Sequence, residues 1–474
     1  MDSNIKNLKK LLAFVFITTL LLVTMTGCLK KEQAAYVDKT QRQVVIYNMY
    51  DDEDVIGKML EPYEKAHPYT KIVYKKFNNY EEYEKLILNE LAEGEGPDVF
   101  AMPNSWFLKN RKKLVPMPAV QGNVDVVKAN YVDVVVDDMV FADDGGIEQT
   151  WGLPMFVDTL ALYYNDDHFE DKLPETGVPA GTWSGLVNNV ISLNSYDDDG
   201  GFAVSGIALG TTGNISHPVD VLYSLMLQYG TVFYDELMSK GGFASVSSEE
   251  ALKFYLSFAD SSQNHYSWDK DLATGADYFD GDVSAFVRGE VSMMFGYSGM
   301  YDYLKSQRSI AKSKGLDVMD LNSIKIAPFP QTNVSRESTQ KRDVYANYYS
   351  LGVAWTTDDS DTAWDVLTHL TGPDSERIYF EETHKATSRR DLINEQKMHP
   401  IYGVFADQVG FAESFPVADV STYYTVFETL INTATSGRSV QTALKAANDK
   451  VNALLPVNGY RVPVNEEYVK ELEE

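Results

Sequence analysis

Cysteine is almost missing from this chain, with one residue in 474. That excludes an intrachain disulfide framework and any multi-cysteine metal centre. Positive charge is scarce too: 41 Lys and Arg stand against 69 Asp and Glu, for a formal net charge of -28. A polyanion of this kind repels phosphodiester backbones and anionic headgroups, so nucleic-acid binding is excluded as a main role. Beyond the N-terminal region no apolar run approaches the ~20 residues of a membrane span. Catalytic signatures are absent as well. There is no phosphate-binding lysine loop, no G-x-G-x-x-G and no H-E-x-x-H. The stretch Gly296-Tyr297-Ser298-Gly299 puts Met300 where a nucleophile elbow needs glycine. The seven histidines are scattered singly, so no metal site or cofactor is expected. Asp197-Asp198-Asp199-Gly200 is rich in oxygen, but Gly206 falls where a calcium loop needs its bidentate Glu. A solvated acidic turn is expected there, with a calcium held by loop oxygens as the alternative.

The single cysteine, Cys28, follows Met25-Thr26-Gly27 and an apolar run that begins at Leu11, itself preceded by Lys6, Lys9 and Lys10. A basic start, a short apolar run and small residues at the cut make up an export signal. The run, about 15 residues, is short for a membrane span. A cysteine in this place resembles the lipobox of bacterial lipoproteins, although Met25 stands where leucine is commonest. The resemblance implies a signal peptide over residues 1–27 and a lipidated Cys28. A flexible polar tether would follow over 28–42. A plain signal peptide with an incidental cysteine is the alternative.

What the chain does have is apolar content, 44% hydrophobic and 12% aromatic, enough for more than one core at this length. Val44–Tyr47 reads as a strand and Asp54–Ala66 as a helix with Val55, Ile56, Met59, Leu60 and Tyr63 at helical spacing. Lys71–Tyr74, Tyr80–Ala92 and Asp98–Met102 repeat the strand-helix-strand alternation. The order argues an α/β fold with mostly parallel sheets. Further strands are expected at Leu160–Tyr164, Gly206–Leu209, Val291–Phe295 and Tyr348–Val353. Helices are expected at Val219–Tyr229, at Ser248–Asp260 with Ser248 as cap, at Asp361–Leu370 and at Ser439–Leu455. Aromatics recur at strand ends beside small or polar residues: Tyr50 with Asp51, Trp106 after Asn104, and Tyr297 before Ser298. In such sheets ligands sit outside the carboxyl ends of the strands. Aromatic faces there can stack on the C–H face of a sugar ring while Asp, Asn and Arg bond its hydroxyls.

Five segments in order carry a family resemblance: Gly96–Trp106, Trp151–Asn165, Ala285–Ser298, Tyr345–Trp364 and Ser436–Ala447. The chain resembles the extracellular solute-binding proteins of sugar-importing ABC transporters, the group that contains maltose-binding protein. The resemblance implies a two-lobed fold whose crossing segments join lobe one (43–156 and 349–395) to lobe two (157–348 and 396–474). It implies a sugar or oligosaccharide bound between the lobes by Tyr50, Asp51, Asn104, Trp106, Asp158, Asn214, Tyr297, Tyr348, Arg389 and Tyr424. No catalysis is implied. The partners would be the solute and ABC permease subunits, with membrane contact through the lipid alone. The place would be the outer face of the bacterial cytoplasmic membrane, and the state a monomer. Tyrosine stands at two places where maltose-binding protein has tryptophan.

Rival readings stay open at this point. The adjacent pairs Tyr163-Tyr164, Tyr348-Tyr349 and Tyr423-Tyr424 could offer phenolates to a ferric ion, and a peptide could fill the same cleft. A surface-anchored carbohydrate-active enzyme would need two cleft carboxylates. A scaffold or adhesin would bind no small solute.

Overall fold

The computed structural model describes residues 41–274, 281–332 and 342–464. Cys28 and most of the expected tether lie outside the described residues. The chain divides into a small unit, Met1–Arg42 with Pro68–Lys71, and a large one, Gln43–His67 with Ile72–Glu474. In the small unit the Arg42 N–H donates to the Tyr69 carbonyl at 2.9 Å. Apart from Arg42, Thr70 and Lys71, the architecture below belongs to the large unit.

Strand β1 (Arg42–Met49), helix α1 (Glu53–Ala66), β2 (Thr70–Phe77), α2 (Tyr80–Glu93) and β3 (Val99–Pro103) follow in the expected order. Helix α1 buries Ile56, Met59, Leu60 and Tyr63, a stripe of one face. Helix α2 starts where the Asn79 side chain accepts the Glu82 N–H, and stops at Gly94, whose φ of 78° few other residues tolerate. Parallel pairing joins β1 to β3, with Ile46 opposite Val99. The α/β class is therefore observed, with parallel pairing centred on this unit.

Strand β4 (Ala161–Asn165) lies in a second, three-stranded sheet with β5 (Met293–Gly296) and β6 (Ile324–Ala327), and both of its pairings are antiparallel. Helix α3 (Pro218–Gln228) falls between β4 and β5 in the chain and is almost wholly buried. The short β7 (Val344–Tyr345) leads into β8 (Tyr349–Val353), which joins the first sheet antiparallel to β3. That sheet has the order β8-β3-β1-β2. Helix α4 (Pro373–Thr383) packs on α1. β9 (Ala412–Glu413) pairs with β7, and helices α5 (Val420–Thr435) and α6 (Val440–Asn452) complete the chain.

Two segments run antiparallel to one another as the chain passes between the two sheets. Leu153 bridges Leu351, and Thr159 bridges Ala346. The Asn347 N–H donates to the Asp158 carbonyl at 3.0 Å and the Val157 N–H to the Ala386 carbonyl at 2.9 Å.

Two local expectations are corrected. Gly206–Leu209 is not a strand: side chains take two of its backbone donors, and only the Ala208 N–H reaches a strand carbonyl, that of Met293 at 3.0 Å. The Gly206 N–H goes to Asn194 Oδ1 at 2.8 Å and the Ile207 N–H to Ser267 Oγ at 2.9 Å. The helix expected from Ser248 starts at Val246, capped by Ser245, and ends at Ser257. Ser248 is instead buried against Thr231, their hydroxyls 3.0 Å apart. In the acidic turn, Asp197 Oδ1 accepts the N–H groups of Asp199 and Gly201 at 3.0 and 2.8 Å. No described helix is long and apolar enough to cross a membrane.

Candidate functional site

The ends of the first sheet's strands and two helices from the rest of the chain enclose a cleft of ≈ 290 Å³. Seven tyrosines line it: Tyr50, Tyr80, Tyr223, Tyr345, Tyr349, Tyr423 and Tyr424. Pro103, Ser105, Asn347, Val417, Val420 and Asp220 complete the wall. Its volume falls at the lower end of ordinary ligand sites, about 300–1,000 Å³.

Local folding explains each placement. Tyr50 follows β1 with φ at 67°, the left-handed region that a bulky residue enters only at a cost of about 1–2 kcal/mol. Its ring meets the edge of Tyr349 at 5.8 Å and 77°. Ser105 follows β3 and is pinned by the Val417 N–H, which donates to its carbonyl at 3.0 Å. Tyr345 is held by its N–H to Ser224 Oγ at 3.1 Å, and its ring lies 5.1 Å from that of Tyr223. The rings of Phe415 and Phe427 pack on Tyr223 in edge-to-face contacts at 4.8 and 4.7 Å.

Asp220 is the one ionisable carboxyl in this wall, in the first turn of α3 and 6% exposed. The Tyr297 hydroxyl donates to its Oδ2 at 3.1 Å. Burial pushes its carboxyl up to about 7 against that hydrogen bond. His217 Nδ1 lies 3.8 Å from Oδ2, and burial pushes that imidazole down to about 4, so it is neutral at physiological pH. Burial also raises the phenols of Tyr80, Tyr223, Tyr345, Tyr349 and Tyr424, and that of Tyr423 to about 12. The cleft thus presents neutral hydroxyls and aromatic faces. No Lys or Arg lines it among the described residues.

Of the residues singled out from sequence, Tyr50 and Tyr424 line the cleft, and Tyr297 stands behind it on Asp220. The others are held elsewhere. Asp51 is buried under Tyr50, accepting from Tyr379 Oη at 2.8 Å, Lys385 Nζ at 3.1 Å and Asn48 Nδ2 at 3.0 Å. Asn104 and Tyr348 both donate to Asp138 Oδ2, at 2.8 and 2.6 Å. Burial lifts that carboxyl to about 6 in spite of these donors and Ser414. Trp106 is buried against the edge of Tyr80, 5.8 Å away. Asp158, also pushed up to about 6 by burial, accepts from Ser298 Oγ at 2.7 Å and Ser298 N–H at 3.2 Å. Asn214 spends its amide on the carbonyls of Asp269 and Leu272, both at 2.8 Å. Arg389 pairs with Asp391 at 3.0 Å and lies over the Tyr131 ring. Sequence reasoning did not single out Asp220, Tyr223, Tyr345, Asn347 or Ser105. A carboxylate in the first turn of an otherwise apolar helix was the one local signal for Asp220.

Of the adjacent tyrosine pairs, only Tyr423-Tyr424 lines the cleft with both members. Tyr163 donates to the Tyr297 carbonyl at 2.8 Å, and Tyr348 to Asp138, both away from the cleft. No second carboxylate stands across from Asp220 among the described residues lining the cleft.

The fold has many counterparts among solved structures. The sugar-binding protein MalE from Xanthomonas citri superposes with a TM-score of 0.67 at 17% identity, over 87% of this chain and 97% of that one. The cyclic alpha-maltosyl-1,6-maltose binding protein from Arthrobacter globiformis gives 0.66 at 18% identity, over 87% and 98%. MalE from Listeria monocytogenes gives 0.64 at 17%, over 87% and 97%. No curated protein matches the sequence. The sequence pattern of the bacterial extracellular solute-binding proteins matches residues 58–400, most of the chain. With that pattern matched over well more than half of its length, the chain belongs to the bacterial extracellular solute-binding protein family.

Proposed function

We propose that the protein captures a sugar or oligosaccharide in the tyrosine-lined cleft and delivers it to an ABC importer. The observation that carries this reading is the wall itself: seven phenol rings with a few convergent polar groups. Sugar rings offer apolar C–H faces and a rim of hydroxyls. Tyrosine offers a flat face and a hydroxyl at its edge, so one residue type serves both. Asp220, Asn347 and Ser105 would bond hydroxyls. The similar proteins from Xanthomonas citri and Arthrobacter globiformis are named for sugars, in keeping with this reading.

The reading includes two lobes, 43–156 with 349–395 and 157–348 with 396–474, which close over the ligand by bending at the paired crossing segments. Sheet membership supports it, since β8 joins the first sheet while β4, β5 and β6 form the second. In this reading the protein does no chemistry and works as a monomer. It sits outside the cell, held to the membrane by lipid on Cys28.

A thermal-shift screen of maltodextrins and other oligosaccharides tests the ligand class. At ~1000-fold excess over Kd a ligand stabilises by ~4 kcal/mol, an easy signal. Silence across saccharides, with a shift for Fe³⁺ or a peptide, would sink the reading. The anchor has its own test. Cys28→Ala is expected to release the protein from the membrane fraction while saccharide binding persists. Retention on the membrane would show that lipid on Cys28 is not what holds it.

A further inference from the structure

We propose that the cleft selects saccharides that carry a positive charge, an amine-bearing sugar whose ammonium pairs with Asp220 inside the tyrosine wall. This inference rests on the saccharide reading above and names the class of sugar. Three observations converge on it. First, Asp220 is more than nine-tenths buried and lines the cleft, yet only its Oδ2 accepts a hydrogen bond. Its Oδ1 accepts none among the described residues. Second, no Lys or Arg faces it among the described residues. The nearest candidate, His217, lies 3.8 Å from Oδ2, and burial keeps its ring neutral. The other titratable groups near the carboxylate are the phenols of Tyr297, Tyr223, Tyr345 and Tyr424, each held protonated by burial. Third, the surrounding walls are aromatic, and ring faces attract cations through their quadrupole.

A buried carboxylate without a counter-charge is costly, and the raised carboxyl of Asp220 reflects that cost. A neutral sugar hydroxyl would meet one lone pair and leave the charge unbalanced. An ammonium would supply the charge and up to three donors at once. The cleft would repel acidic sugars, because no Lys or Arg lines it among the described residues.

The test compares three probes at neutral pH by titration calorimetry: a glucosamine tetramer, its N-acetylated counterpart and maltotetraose. The glucosamine tetramer is expected to bind about tenfold or more tighter than either neutral probe, the range of close charge pairs in buried sites. In Asp220→Asn, which keeps an oxygen for the Tyr297 hydroxyl, that preference should fall below about threefold. Equal or tighter binding of the neutral probes to the wild-type protein overturns the charge inference and leaves the saccharide reading standing. A preference that survives in Asp220→Asn also overturns it, because the charge would then be read elsewhere. No binding of any of the three overturns both. The wild-type comparison decides the question even if the variant fails to fold.

Discussion

Replacing Tyr349 and Tyr424 together by alanine is expected to weaken saccharide binding about 1000-fold while the fold survives. Truncating a well-placed aromatic anchor costs about 2 kcal/mol or more, and each ~1.4 kcal/mol is a factor of ten in Kd. Tyr349 opens β8 in the first sheet and Tyr424 sits on α5, so the two rings belong to different walls and their losses should largely add. Tyr424 is 37% exposed and Tyr349 half-buried, so neither is a main core residue. The apo melting temperature should fall by only a few degrees. Calorimetry with a bound oligosaccharide and a melting curve of the same sample check both halves. Binding within tenfold of wild type would remove these rings from the site.

Trp106→Ala is expected to do the reverse. The indole is 5% exposed, packed on Tyr80, with the Lys109 ammonium 5.5 Å from its ring, and it does not line the cleft. Removing a buried tryptophan costs about 3–5 kcal/mol, a large part of any domain's stability. Its Nε1–H has no hydrogen-bond partner among the described residues. Trp106→Phe discards that unpaired donor and keeps most of the contact, so it should cost less than the alanine change. Chemical denaturation of both variants checks the order. Ligand affinity of the folded alanine variant should change less than about tenfold. An unchanged denaturation midpoint with lost affinity would place Trp106 on the ligand instead.

These two predictions rest on a distinction that sequence could not make. The β-α-β-α-β unit was legible to within a few residues because helix periodicity, Asn and Gly caps and apolar strands all agree there. The neighbourhoods of the cleft were legible for the same reason, as strand ends rich in aromatics. Which residue of each neighbourhood faces the cleft was not. Tyr50 lines it and Asp51 lies behind; Ser105 lines it between Asn104 and Trp106; Tyr349 lines it and Tyr348 is buried on Asp138. At Tyr348 and Tyr349 the chain is extended and successive side chains point to opposite sides, whereas Tyr50 is turned by its left-handed backbone and Ser105 sits in a single 3-10 turn. Asp220 was hidden for another reason. Its neighbours on α3 are apolar and buried, and only tertiary packing turns that one carboxylate toward the tyrosines. The missing strand at Gly206–Leu209 failed on a competition no pattern reveals, because Asn194 and Ser267 reach two of its donors from elsewhere in the chain.

The cleft wall draws on stretches near residues 50, 80, 105, 220, 345 and 420, and no contiguous fragment holds more than a part of it. The first sheet is complete once Val353 has been made, yet Tyr423 and Tyr424 still lie ahead on the chain. Contacts so far apart in sequence require long loops to close before they are rewarded, which slows their formation. During biosynthesis, then, recognition is the last property to appear. A chain whose α5 has not yet docked would possess its main sheets but only an unfinished wall. Competence to bind is therefore a report on the completion of folding, and a ligand that fits the finished cleft would act as a template holding the late-arriving C-terminal helix in place.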